Sequence, residues 1–376
     1  MVRTGDPAPR SPGDPFEVAP GYNPFVDAKP VPRTPPTLEH VAQVAGVSRA
    51  TVSRVINNVR NVDPALAQAV RDAVEATGYV PNQAARSLVT RRTNSVALVI
   101  SEGEHRTVTV ADPFVGRIFT DPFFGRVVSG LFSVLRPRGV NLVLMFVETD
   151  EMRRQLLGYL RQGHVDGVLL VSSHAQDPLP RLLTESGLPA VLSERPPSPL
   201  RISYVDSPQG GGARLAADHL AARGCRRVAT ISGPMDMPAG RDRLDGFREA
   251  MSRHGYPYIP AAGGDFTQES GSAAMARLLD EYPEVDGVFA ANDLMALGAI
   301  TVLHERGRRI PEDVAVVGFD DSHAALLCRP PLTTVHQPVE RMAAQMARLL
   351  LDRIDSPELP VASAIFDPTL VVRASA

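Results

Sequence analysis

Apolar residues recur in two rhythms along the chain. Over residues 37–78 they come at helical spacing: Leu38, Val41, Ala42 and Ala45, then Val52, Val55 and Ile56, then Leu66, Val70, Ala73 and Val74. A short helix buries one face through such a stripe. The punctuation agrees with it. Thr37 and Ser48 suit N-caps, Asp63 followed by Pro64 opens a third helix, and Gly46 and Gly78 end the first and third. The pattern predicts three helices, the first two joined by a tight glycine turn as in a helix-turn-helix. On the second, Arg49 to Ile56, it leaves Arg49, Ala50, Thr51, Ser53 and Arg54 facing outward.

From Val96 the rhythm changes. Apolar runs at 96–100, 140–147, 165–171, 188–192, 227–231, 285–290 and 314–319 alternate with helical patterns, as the buried strands of parallel sheets do. VDGVLLVSS from Val165 and VDGVFAAND from Val285 each follow an earlier strand-helix pair, near Val96 and Val228. This echo predicts an α/β body of two similar lobes. Ligands of such sheets sit beyond the carboxyl ends of the strands. Before the first helix, residues 1–36 hold ten prolines and few aliphatics. That composition buries too little surface to offset the entropy of ordering, so a disordered tail is expected.

Composition refines this picture. A length of 376 residues with 44% hydrophobic content accommodates two or three domains. The net charge of −3 hides a partition. Residues 36–92 carry seven arginines against four acids, whereas residues 1–35 balance and the remainder is acidic. A basic module on an acidic body fits a head that binds a polyanion. Cys225 and Cys328 have neither CxxC nor histidine-partner spacing, which leaves them as ordinary thiols. No apolar run is long enough to span a membrane, and the N-terminus lacks a signal-peptide core, so a soluble, cytoplasmic protein is expected.

Catalytic signatures are weak. GGGARLAADHL lacks the spacing of a dinucleotide loop, no GxSxG elbow occurs, and His40, His105, His164 and His174 are scattered. The expectation is a non-enzyme without cofactor or metal.

TLEHVAQVAGVSRATVSRVINN at 37–58, GYVPNQAARSL at 78–88 and the strand VALVI resemble, in order and spacing, the lactose-repressor (LacI/GalR) family of bacterial transcription regulators. HVDGVLLVSS, ARLAADHLAARGCRRVATISGP, RLDGF, GVFAANDLMALGAI, VAVVGFDDS and PPLTTVHQP extend the resemblance to about Val372. It implies a helix-turn-helix domain at 37–81, a hinge helix at 82–92 and a two-lobed body at 93–376 like a periplasmic sugar-binding protein. The lobes are expected at about 93–205 with 321–353, and 206–320 with the C-terminal strands. The function implied is a homodimeric repressor of carbohydrate-utilisation genes that binds a pseudo-palindromic operator and is released by a sugar or sugar phosphate. The rival reading is a transport or chemosensory sugar-binding protein with no DNA role.

The family's reading helix contacts bases just after its N-cap and one turn on, here Arg49, Ala50 and Arg54. Arginine matches the two acceptors of guanine, and alanine can only meet a thymine methyl or make room. Ser48, Thr51 and Ser53 suit phosphate anchoring, with Thr37 and Asn57 completing the set. In the hinge, Asn82, Ala85 and Leu88 match the minor-groove contacts, with Leu88 as the wedge between base steps. For the effector, the resemblance points to Asp293 in ANDLMALG and Arg243 in RLDGF. Phe266, Phe123 and Phe124 supply ring faces, and Glu194 or Arg195 in LSERPP reaches the cleft.

Two departures stand out. Purine-responsive members carry an arginine and a threonine where this chain has Met237 and Ala239, which favours a carbohydrate. A longer segment at 102–122 contains DPFVGRIF and DPFFGRVV in tandem. The second copy, with Asp121, runs directly into an amphipathic helix and is assigned to the pocket, although the first copy suits the same position.

Overall fold

The computed structural model describes residues 36–57, 62–80, 92–102, 114–172, 174 and 176–376, which fall into two compact units divided near residue 90. The proline-rich tail before residue 36 and the hinge residues Asn82, Ala85 and Leu88 lie outside the described residues.

The first unit is built on α1 (Leu38–Ala45), α2 (Arg49–Ile56) and α3 (Pro64–Thr77). Each cap forms as its chemistry dictates. The Thr37 hydroxyl accepts from the His40 amide, Ser48 from the Thr51 amide, and Asp63 from Ala65 and Leu66. Gly46 and Gly78 take the left-handed backbone that ends a helix, with φ of 65° and 64°. Val41, Ala42, Val52, Val70 and Ala73 form the core, with Val55, Ile56 and Val74 packed on it. Leu66 departs from the expected stripe. It lies one turn ahead of Val70 and is 44% exposed.

Among the described residues of the second unit, two six-stranded sheets alternate with helices. The first lobe comprises β1 (Ser95–Ser101), α4 (Phe114–Thr120), α5 (Pro122–Leu135), β2 (Asn141–Val147), α6 (Asp150–Arg161), β3 (Gly167–Ser172), α7 (Leu179–Ser186), β4 (Ala190–Leu192) and β5 (Ser203–Asp206). The second comprises α8 (Gln209–Ala222), β6 (Val228–Ser232), α9 (Pro238–Arg253), β7 (Ala261–Gly263), α10 (Gln268–Glu281), β8 (Gly287–Ala290), α11 (Asp293–Glu305), β9 (Ala315–Asp320), α12 (His323–Leu327) and β10 (Thr333–His336). The chain then returns through α13 (Val339–Asp355) and β11 (Ser363–Ile365) to end on β12 (Thr369–Val371).

The sheets run β2-β1-β3-β4-β5-β11 and β7-β6-β8-β9-β10-β12. All the pairings are parallel except β10 with β12. The strand order is the same in both sheets, and only the direction of the last strand differs. The VDG echo has a structural reason: Asp166 accepts from the amide and hydroxyl of Thr93, and Asp286 accepts from the amides of Arg226 and Arg227. Each aspartate fastens the entry to its lobe's first strand.

The lobe boundaries need two corrections. Residues 321–336, expected in the first lobe, belong to the second because β10 pairs with β9. Of the C-terminal strands, β11 pairs with β5 of the first lobe and only β12 joins the second. Three crossovers therefore connect the lobes, at Asp206–Gln209, His336–Val339 and Ile365–Thr369. Each sheet is buried by helices on both faces, through Leu98, Leu131 and Leu169 on one side of the first and Ile231, Met295 and Leu303 on one side of the second.

Candidate functional site

In the helix-turn-helix unit, Val52 is fully buried while Ser48, Arg49, Ala50 and Arg54 are exposed. Thr51, Ser53 and Asn57 are half-buried. The Ser48 and Thr51 hydroxyls lie 2.9 Å apart, and the Asn57 amide donates to Ser53 at 3.3 Å. Arg49 pairs with Glu39 at 3.0 Å, with both side chains more than half exposed. Such a surface pair is weak and costs little to exchange for a base or phosphate. The outward face thus offers two arginines separated by more than one helical turn, flanked by hydroxyls, a shape that suits a major groove.

In the two-lobed unit, a cavity opens at the carboxyl ends of the strands, between the lobes. Asp121, Phe123, Phe124, Glu194, Arg243 and Phe266 all line it, as do Met237 and Ala239. Asp121 caps α5, accepting from the Phe123 amide at 2.9 Å, and the rings of Phe123 and Phe124 meet edge to face at 5.3 Å. α4, from the first DPF copy, adds Ile118 and Thr120 to the wall. Phe266 adopts a left-handed backbone with φ of 70°. A Cβ at Gly233 would come within 2.4 Å of its ring, so glycine there makes the room.

Arg243 organises the floor. It projects from α9, is 5% exposed, and its Cζ lies 3.7 Å from the ring centroid of Phe319, a cation–π stack. Its Nε donates to Gln209 at 2.9 Å and its Nη1 to the Ala291 carbonyl at 2.5 Å, with the Asp320 carboxylate at 3.5 Å. Gln209 donates in turn to Gln337 at 3.1 Å. Burial, reinforced by repulsion from Asp206, pushes the Glu194 carboxyl up to about 8. Burial likewise pushes Asp320 up to about 7 against the opposing pull of Arg243, and raises Asp121.

Two expected effector residues stand elsewhere. Asp293 is 1% exposed and turned into the second lobe, where its Oδ2 accepts from the Ser322 amide at 2.7 Å and its Oδ1 from the Thr334 hydroxyl at 2.5 Å. It braces β10 and the turn after β9 instead of lining the cavity. The residue beside it, Asn292, lines the cavity, caps α11 through Met295, and donates to the Phe266 carbonyl at 2.9 Å. Arg195 is exposed on an outer groove, one residue past the turn that aims Glu194 inward. Gln209, Asn292, Asp320 and Gln337 were not singled out from sequence. All four end or closely follow a strand, β5, β8, β9 and β10 in turn, and Asp320 terminates the apolar run VAVVGF, a signal that the strand-end rule could have used.

The cavity thus combines three aromatic faces with carboxylates and amides at its wall and floor, a set that suits stacking on a ring and bonding adjacent hydroxyls. Among the described residues no cluster of His, Cys, Asp or Glu is arranged to hold a metal ion, and no helix is long and apolar enough to cross a membrane. Cys225 and Cys328 are buried, which pushes their thiols up to about 11 and about 12.

Comparison with known proteins agrees with both units. Residues 37–82 match the family model of bacterial regulatory proteins of the lacI family, and residues 217–376 match the periplasmic binding protein-like domain. The HTH-type transcriptional regulator CelR of Thermobifida fusca is 49% identical over 348 residues, covering 91% of this chain and 99% of that protein. The ribose operon repressor of Escherichia coli K12 is 33% identical over 344 residues, covering 90% and 99%. Among solved structures, the CelR–cellobiose complex superposes with a TM-score of 0.69 at 47% identity over 91% of this chain and all of that one. The lac repressor dimer bound to operator and the anti-inducer ONPF gives 0.77 at 26% identity over 91% and 99%. With both domains in order, and with full-length relatives at these identities, the chain belongs to the lacI family of bacterial transcription regulators.

Proposed function

We propose that this regulator represses carbohydrate-utilisation genes and leaves its operator when a neutral sugar enters the inter-lobe cavity, with a β-linked glucose disaccharide as the first candidate. The observation that carries the reading is the cavity itself. Phe123, Phe124 and Phe266 offer ring faces, while Arg243, Gln209, Gln337, Asn292 and Asp320 present polar groups beyond the strand ends of both lobes. CelR, the relative at 49% identity, has been solved with cellobiose.

Charge selects among sugars. Among the described residues, Glu102, Asp121, Glu194, Asp265 and Asp320 line the cavity against a single guanidinium, Arg243. That guanidinium is already engaged by Gln209, Ala291 and Phe319. A phosphate would find that guanidinium committed and would add negative charge beside Asp320 and Asp121 as they ionise, so phosphorylated sugars are disfavoured.

Arg49, Ala50 and Arg54 are assigned to base edges, and Thr37, Ser48, Thr51, Ser53 and Asn57 to phosphates. Two such heads in a homodimer read a pseudo-palindrome, with Asn82, Ala85 and Leu88 in the minor groove. Sugar in the cavity changes the lobe angle, and the population shifts toward a state of low operator affinity.

A thermal-shift screen of mono- and disaccharides with their phosphates tests the reading. Duplexes selected by the protein from a random pool supply the operator. A neutral disaccharide is expected to raise Tm and weaken operator binding. A pattern in which only phosphorylated sugars bind, or in which every hit leaves operator affinity unchanged, would overturn it.

A further inference from the structure

Behind the cavity, outside its lining, lies a guanidinium that none of the roles above uses. Arg126 projects from the first turns of α5, and its side chain is 15% exposed. Nε and Nη2 donate to the two oxygens of Glu340 at 2.8 and 2.9 Å. Nη1 donates to the Asp320 carbonyl at 2.7 Å, and Nη2 also to the Gln337 carbonyl at 2.9 Å. One side chain of the first lobe thereby holds the end of a second-lobe strand, a crossover, and the first turn of the returning helix. Both carbonyls belong to residues whose side chains line the cavity. Gln337 continues the connection to Gln209 on another crossover, and Gln209 to Arg243.

A second observation converges on the same point. Asp320 has φ of 103°, a conformation that a residue with a Cβ keeps only where its surroundings enforce it. The bond from Arg126 to its carbonyl is one such restraint. A planar fork with five donors is needed to grip a carboxylate with two prongs and still reach two carbonyls, which lysine cannot do.

We propose that Arg126 is the positioning residue that ties occupancy of the cavity to the angle between the lobes. By holding the main chain of Asp320 and Gln337 against α5, it makes a shift of either side chain a movement of one lobe against the other. This rests on the reading of the cavity as the effector site.

The test compares operator affinity with and without saturating cellobiose, or the sugar the screen returns, in full-length wild type, Arg126→Met and Arg126→Lys. In wild type the ratio of the two affinities measures the coupling. Arg126→Met is expected to shrink that ratio about fivefold or more, and Arg126→Lys to fall between. A merely structural arginine would lower Tm and leave the ratio intact. Should Arg126→Met fail to fold, Glu340→Gln, which loosens the fork without touching the cavity, is expected to shrink the ratio about twofold to threefold. An unchanged ratio in the folded variants overturns the proposal. A ratio of one in wild type would instead overturn the effector reading itself.

Discussion

Arg243 and Glu194 both line the cavity, and burial shifts their pKa values in opposite directions. Burial draws the Arg243 guanidinium below its ordinary pKa, with Asp320 the foremost opposing charge, and a guanidinium starts so high that it stays protonated. Replacing it with lysine removes the stacked plane on Phe319 and one or both hydrogen bonds. Arg243→Lys is therefore expected to weaken effector binding about tenfold to a hundredfold by calorimetry. Glu194 responds to pH. Its folded pKa of about 8 lies well above its unfolded value, so across that interval the native state holds a proton that the unfolded chain has lost. Stability should fall as pH rises toward about 8 and level off above it. Glu194→Gln removes this contribution, so the drop in Tm between pH 5 and pH 8.5 should be smaller by about 3 °C. An identical drop in both proteins would contradict the assigned cause.

Helix contacts set how these residues are held. Gly130 on α5 packs against α13 so closely that a Cβ would lie 2.3 Å from the Glu340 carbonyl and 2.8 Å from the Cβ of Ala343. This is the same pair of helices that Arg126 and Glu340 bridge. Gly130→Val should force them apart, destabilising the body by about 2–3 kcal/mol in denaturant titration. Because the fork closes only at this separation, it should also reduce the sugar's effect on operator affinity. In the small unit the Ser48 hydroxyl caps α2. Ser48→Ala is expected to cost that helix about 1 kcal/mol, visible as a lower melting transition of the head.

Much of this element plan was legible in the chain. Helix ends carried Thr37, Ser48, Asp63, Gly46 and Gly78, and the long buried strands were continuous apolar runs. The three- and four-residue strands β5, β7 and β10 escaped notice. Strands this short leave too little pattern to separate them from loops, and only pairing with a longer neighbour defines them. Site residues divided along similar lines. Arg243 was reached through the resemblance of RLDGF to the family motif, and it lines the cavity. At ANDL two adjacent polar residues compete, and a one-residue difference in direction sent Asn292 to the cavity and Asp293 into the lobe.

For the two-lobed body as a whole, the repeated topology places the cavity at the junction of the two sheets, with two of the three crossovers contributing to its lining. Gln209 and Gln337 stand on two of those crossovers and are bonded to each other. Whatever bonds their side chains from the cavity acts on the chain segments about which the lobes turn. A shift in operator affinity requires unequal sugar affinity for the two lobe arrangements, and the proposed reading puts that difference at this junction. The most direct check is a titration of the full-length protein into its selected operator duplex at one fixed salt concentration, with and without saturating cellobiose. The account predicts that the sugar raises the operator Kd by about fivefold to a hundredfold. An operator Kd that stays the same or falls, with the cavity shown to be filled, would contradict it.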